Sequence, residues 1–248
     1  AVPPTGSNIR LANEDVPAGT WLKLTGRPLA PCDLGVLARI GRSTVPVRRR
    51  PVVTLLCTGG ELLKPHETPR EGFVVNTNTV TLEASLRHEG ALLSDVREVR
   101  DDKELLRRAL MEAQDSDLIL TTGGVSMGDF DHVKSLVPEM GMKVIFHSVA
   151  IKPGKPLLFA TWGKTLLFAL PGNPVSALVT YEMFVRPAIR RMIGCAEPVS
   201  STVISGEDFI PPKGKTHIPR VRITGFSGGL PIVRSAGPQG SGILSTFS

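Results

Sequence analysis

Three cysteines in 248 residues, Cys32, Cys57 and Cys195, are too few and too far apart for a framework. They make neither a disulfide scaffold nor a zinc knuckle, and they read as reduced, inert thiols. Aromatic residues are scarce at 5 %, and no basic run extends beyond Arg48-Arg49-Arg50. A nucleic-acid partner is therefore not expected, despite the net charge of +6. No apolar run approaches the roughly 20 residues that cross a bilayer, so no membrane partner is expected. The stretch AVPPTGSNIR (1–10) lacks a basic-then-apolar signal pattern, and a cytoplasmic location is expected. His66, His88, His132, His147 and His217 are scattered, which excludes a histidine metal cluster. There is no Ser/His/Asp order, no GxSxG and no HExxH, which excludes hydrolases of those types.

What is present suits a folded chain with a small anionic substrate. The length allows one large domain or two to three small ones, and 41 % of residues are hydrophobic. Residues 1–50 are rich in Pro and Gly with short β-type segments, and only 32–41 reads as a helix. They are expected to form a β-rich region or the end of one. Then PVVTLLCT (51–58) has a buried-strand signature, and strands alternate with helices. Helices are expected over 77–89 (capped by Gly90), 102–114 and 132–140 (closed by Gly141), and strands over 91–96, 118–122 and 143–151. Such alternation predicts right-handed crossovers and a mostly parallel sheet covered by helices on both faces. A last helix starts at Asn173-Pro174 and is expected to bend at Pro187. Past Gly194 the chain turns to short alternating segments such as HIPRVRIT (217–224). The organisation expected is a β-rich segment over 1–50, an α/β domain over 51–196 and a small β domain over 197–248.

Three loops carry the chemistry, because ligands of such sheets lie at the carboxyl ends of the strands. In TTGGVSMGDFD (121–131), Gly123 and Gly124 let backbone N–H groups converge on an anion, beside Asp129 and Asp131. Asp131 reads equally as the cap of the next helix. In KPGKP (152–156), prolines stiffen a turn holding Lys152 and Lys155, which clamp an anion or form an ordinary solvated turn. In PGNPVS (171–176), a helix N-terminus offers free N–H groups and the Ser176 hydroxyl. Glu61, Asp101-Asp102 and Asp15 add carboxylates of the kind that hold Mg²⁺ against a substrate phosphate.

Six motifs occur in order: NIRLANEDVPAG (8–19), TGGEL (58–62), VRDD (99–102), TTGGVSMGDFD, AIKPGKP (150–156) and ALPGNPVSA (169–177). With GSGILSTFS (240–248), the chain resembles the MoeA-type molybdopterin molybdotransferases, the family of the gephyrin E domain. The resemblance implies a MogA-like central domain and a transferase that inserts molybdate into adenylylated molybdopterin and releases AMP. It implies Mg²⁺, a homodimer and a MogA-type partner enzyme. By motif position it places Gly123, Gly124, Ser126, Lys152, Lys155, Pro171, Asn173 and Ser176 around the substrate, with Arg220 and Ser241 closing over them. Glu61, Asp101, Asp131 and Asp15 match the family's acidic positions as catalytic groups, the first three also as metal ligands.

The pattern departs from the family in three places. Gly60 stands where the family reads Asp in TGDEL, and Ser148 stands where many members are basic. Family members also carry a further N-terminal portion, and the chain is expected to lack it together with the end of the last domain. These departures keep a non-catalytic pterin-binding or scaffold homologue open. A MogA-type molybdopterin adenylyltransferase is the other alternative, disfavoured by the flanking β regions and by PGNPVS. Molybdate and tungstate are too alike in size and charge for the sequence to separate.

Overall fold

The computed structural model describes residues 2–123, 132–196 and 200–247. The chain divides into two units, 1–46 and 47–248. In the first, α1 (Pro31–Arg39) begins at a proline, whose fixed φ suits the first helical position. The Asp33 carboxylate accepts from the Ala30 N–H at 2.7 Å and from the Arg27 guanidinium at 2.8 Å. The Arg27 hydrogen bond, then the Ala30 N–H, holds this carboxyl down to about 2. The β-rich segment expected over 1–50 is not formed, because among the described residues of 2–46 there is no strand. Segments of β-type composition such as Trp21–Leu24 have no regular structure, and Trp21 is 96 % exposed. A strand needs a ladder partner to satisfy its backbone groups, and composition alone supplies none.

The second unit is built on β1 (Val52–Thr58), whose pattern is buried almost throughout. A short pair follows, β2 (Leu62–Leu63) with β3 (Val74–Val75). Helix α2 (Thr77–His88) is capped by Asn76, whose side-chain oxygen accepts from the Thr79 N–H at 3.0 Å. Gly90, at φ 83°, ends it as expected. Then come β4 (Leu92–Val99), α3 (Lys103–Glu112), β5 (Leu118–Thr122), α4 (His132–Glu139) and β6 (Lys143–His147). Asp102 caps α3 by accepting from the Leu105 N–H at 2.8 Å.

The strand expected over 143–151 is interrupted. Ser148 takes φ 68°, which ends β6, and the chain resumes as β7 (Ile151–Lys152). Next are β8 (Leu158–Trp162) and β9 (Thr165–Leu170). The sheet runs β4-β1-β5-β9-β8-β6, parallel from β4 to β9, with β8 antiparallel to both its neighbours. Helices cover both faces, which explains why β1, β5 and β9 are buried almost continuously rather than alternating. Val53, Leu55 and Cys57 pack with Leu82, Leu86, Tyr181 and Ile189, while Leu56 packs with Leu106, Leu110, Val133 and Leu136.

The last helix is α5 (Pro174–Thr180), a π turn over Tyr181–Val185, and α6 (Arg186–Met192). The Arg186 N–H reaches back five residues to the Tyr181 carbonyl. Pro187 has no N–H to continue the regular ladder, so the irregularity falls just before it. Beyond 200, β10 (Ile204–Ser205), β11 (Thr216–His217), β12 (Val221–Ser227) and β13 (Leu230–Ser235) follow. Pro219 falls in the break between β11 and β12. The sheet β10-β13-β12 contains a two-residue hairpin, with Gly228 at φ 56° and Gly229 at 78°, where both residues need the left-handed region. Strand β11 instead pairs with β7, fastening this region to the KPGKP turn.

Candidate functional site

Register decides where the parallel strands stop. Cys57 of β1 lies beside Thr122 of β5, and Thr122 beside Leu170 of β9, so their carboxyl ends share one rim. A cleft of about 710 Å³ opens there. Glu61 and Asp101 line it as exposed carboxylates, with Gly123, Pro171 and Asn173. The loops after β1, β4, β5 and β9 thus meet, as the order of motifs requires.

The glycines are set by close approach. A Cβ on Gly123, at φ 86°, would lie 2.4 Å from the Thr58 carbonyl oxygen. One on Gly172 would lie 3.6 Å from the Gly123 Cα, so the two loops pass backbone to backbone. At Gly60 a Cβ meets no atom of a described residue within 4 Å.

Other expected residues stand further out. Lys152 and Lys155 are exposed, in no ion pair with a described residue, and belong to the turn whose Pro156 lines the cleft. That turn sits close on α5, where a Cβ on Gly154 would lie 2.7 Å from the Thr180 methyl carbon. Ser176 is buried in the first turn of α5 and is not a lining residue. The Ser241 carbonyl accepts from the Val175 N–H at 3.0 Å, and its neighbours Gly242 and Leu244 reach the cleft.

Arg220 is not brought to the cleft. Its guanidinium donates to the Thr246 hydroxyl at 2.9 Å and to the carbonyls of Pro238, Gln239 and Gly240. Burial pushes its pKa down from the usual range, and it lines a separate groove of about 300 Å³ with Met183 and Phe247. The motif match could not show that Arg220 is buried and that the carbonyls of the 238–240 turn consume its donors. Asp15 belongs to the first unit, where it pairs with Arg39 at 3.1 Å. Gly124, Ser126 and Asp131 lie outside the described residues. Among those described, no group of three or more His, Cys, Asp or Glu is gathered for a metal.

The structure adds residues that the motifs did not single out. Asn76, Thr77 and Asn78 line the cleft with Val74 and Val75, forming a wall from β3 and the first turn of α2. Asn78 donates to the Thr122 hydroxyl at 2.9 Å and to the Gly172 carbonyl at 2.7 Å, and Thr122 donates to the Pro171 carbonyl at 3.1 Å. Cys57 also lines the cleft, but burial pushes its thiol up to about 11, so it stays protonated and inert at neutral pH.

Residues 54–191 match the family model of a probable molybdopterin binding domain. The chain belongs to this family. Its molybdopterin-binding domain carries the rim cleft from Cys57 to Pro174, while Gly242 and Leu244 fall in residues 202–248, which match the MoeA C-terminal region, domain IV. Over 245 residues the chain is 34 % identical to molybdopterin molybdenumtransferase 2 of Mycobacterium tuberculosis, covering 95 % of this chain and 60 % of that protein. Over 222 residues it is 33 % identical to the molybdopterin molybdenumtransferase of Bacillus subtilis, covering 88 % and 52 %. The chain thus spans about half to three fifths of these curated relatives. The crystal structure of the molybdopterin biosynthesis moeA protein from Pyrococcus horikoshii superposes with a TM-score of 0.73 at 26 % identity, covering 94 % of this chain and 56 % of that one. The chain therefore has a MoeA-like α/β fold with a small C-terminal β domain.

Proposed function

We propose that the chain supplies the central and C-terminal parts of a molybdopterin molybdenumtransferase, seating adenylylated molybdopterin and molybdate in the rim cleft. The observation that carries this is the convergence of Glu61, Asp101, Gly123, Pro171 and Asn173 on one cleft within the family-matched segment. Cleaving a phosphoanhydride requires fixed positive charge and donors on the phosphates and a cation to offset their charge. Backbone N–H groups of the 171–173 turn face this task, with Lys152 and Lys155 supplying charge from the adjoining turn. Ser176, Ser241 and the loop bearing Gly124, Ser126 and Asp131 complete the substrate set by motif position. Arg220 could take part only by giving up its contacts to the 238–240 turn.

Glu61 and Asp101 fit a divalent cation such as Mg²⁺, which favours oxygen donors and is usually held by one or two carboxylates plus substrate phosphate. When bound there, it would neutralise charge on the phosphates. Asp131 is the third proposed ligand, and Asp15 a catalytic acid placed by motif alone. A homodimer and a MogA-type partner that delivers the adenylylated substrate belong to the same reading. The MogA-type activity itself is disfavoured, because residues 202–248 match the MoeA C-terminal region.

The test is AMP release from adenylylated molybdopterin, Mg²⁺ and molybdate. Molybdate-dependent release supports the transferase. Binding without release supports a pterin-binding homologue, a reading favoured by Gly60, where no carboxylate stands beside Glu61. Replacing Asp131 by Asn is expected to abolish release, and unchanged release would remove Asp131 from the catalytic set.

A further inference from the structure

Helix α2 buries one face, and Asn78, Leu82 and Leu86 fall on it at four-residue spacing. An amide on an apolar stripe calls for a reason. Asn78 is 9 % exposed, and its side-chain oxygen Oδ1 is buried with no partner among the described residues. Leucine would fill this volume without an unmet acceptor, so packing does not account for the amide. Its two donors do have partners, the Gly172 carbonyl and the Thr122 hydroxyl. The orientation of the amide follows from them. The Gly172 carbonyl can only accept, and Thr122 already donates to Pro171, so the nitrogen must face both.

Two successive carbonyls, of Pro171 and Gly172, are thus held by Thr122 and Asn78. In a trans peptide the N–H points opposite to the preceding carbonyl. Holding these carbonyls turns the N–H groups of Gly172 and Asn173 the other way, and neither donates to another described residue. Both residues line the cleft. We infer that Asn78 is a positioning residue: through Gly172 and Thr122 it fixes the 171–173 turn so that its N–H groups meet a phosphoryl group in the cleft. This rests on the reading of the cleft given above. The Val175 N–H, one step into α5, is already taken by the Ser241 carbonyl, and neither Val175 nor Ser176 is among the described residues lining the cleft, so the turn makes this contact.

The experiment compares AMP with adenosine as probes of the full 248-residue chain, by calorimetry in Mg²⁺. The two share a ring and a ribose and differ in the phosphate. In Asn78→Leu and Asn78→Asp, which keep the size but lose the donors, AMP affinity is expected to fall about tenfold, with adenosine affinity unchanged. A general distortion of the cleft would weaken both alike, and that result overturns the positioning role. Should these variants fail to fold, Thr122→Val releases the Pro171 carbonyl and removes one acceptor of Asn78, while its bond to the Gly172 carbonyl remains available. It is expected to show the same selective loss of AMP, and equal loss of both probes again counts against the proposal. If the unaltered chain binds neither probe, the reading of the cleft fails and this inference with it; binding with an unchanged AMP-to-adenosine ratio in the variants overturns the inference alone.

Discussion

At Gly123 an added Cβ would lie 2.4 Å from the Thr58 carbonyl oxygen, in a backbone of φ 86°. The obstacle is main chain, so no side chain can swing aside. Gly123→Ala is expected to cost about 3 kcal/mol or more, combining overpacking with a left-handed backbone, read as a lowered denaturant midpoint. Gly60 is the opposite case, exposed and with no described atom within 4 Å of an added Cβ. Gly60→Asp is expected to leave the thermal midpoint unchanged and to tighten Mg²⁺ binding, by placing a carboxylate next to Glu61. Unchanged Mg²⁺ affinity would show that position 60 does not face the cation. Single residues also mark what the sequence could and could not disclose. Glu61, Asp101 and the Pro-Gly-Asn turn announced themselves through motif chemistry. Asn78 carried a subtler signal, one polar residue on an otherwise apolar helix stripe. Arg220 misled, because its match to the family says nothing of the carbonyls that occupy it.

Elements were readable where periodicity is strong. Strand β5 and helices α2 and α4 begin or end where their apolar spacing, caps and glycines put them. The pair β2 and β3 was not visible, since two-residue strands carry no period and pair only across a ten-residue loop. Nor was the break at Ser148, a left-handed serine inside a β-type run. Helix docking is a better guide to energetics than helix propensity. Glu89, at the end of α2, has a 6 % exposed side chain and takes Arg186 at 2.6 Å and Arg190 at 3.2 Å, both from α6. Glu89→Ala removes a buried carboxylate that holds two half-buried guanidinium groups, Arg186 keeping Glu182 and Arg190 keeping the Ala196 carbonyl, and is expected to cost about 2 kcal/mol. Glu83→Ala, which removes an exposed pair with Arg87, is expected to cost under about 0.5 kcal/mol. Equal costs in urea titrations would contradict the placement of α6 against α2.

For the whole molecule, charge sets the pH limits. Asp33, Asp117 and Glu139 have carboxyls lowered chiefly by hydrogen bonds from Arg27, Arg49 and Lys103. A lowered carboxyl stabilises the fold above its unfolded pKa, and that contribution fades as pH falls through the folded value. Loss is therefore expected below about pH 4, and for Asp33 it extends to about 2. Cys57 runs the other way, raised from 9.0 to about 11 by burial, and Tyr181 is raised as well. Their contribution is complete below the unfolded values and is lost as pH climbs through the folded ones. Thermal melts across pH are expected to show a plateau with an acid and an alkaline limb, and Cys57→Ala is expected to shallow the alkaline one.

At this scale the parallel order of β4, β1, β5 and β9 brings the motif-bearing loops together, and the cleft follows from register. The claim that this cleft seats the adenylylated pterin can be tested by hydrogen exchange with AMP and Mg²⁺ added to the chain. The account predicts slowed exchange at 58–62 and 172–175, where the loops after β1 and β9 line the rim. Slowed exchange confined to the groove of Met183, Val221 and Phe247, or none at the rim at saturating AMP, would contradict it.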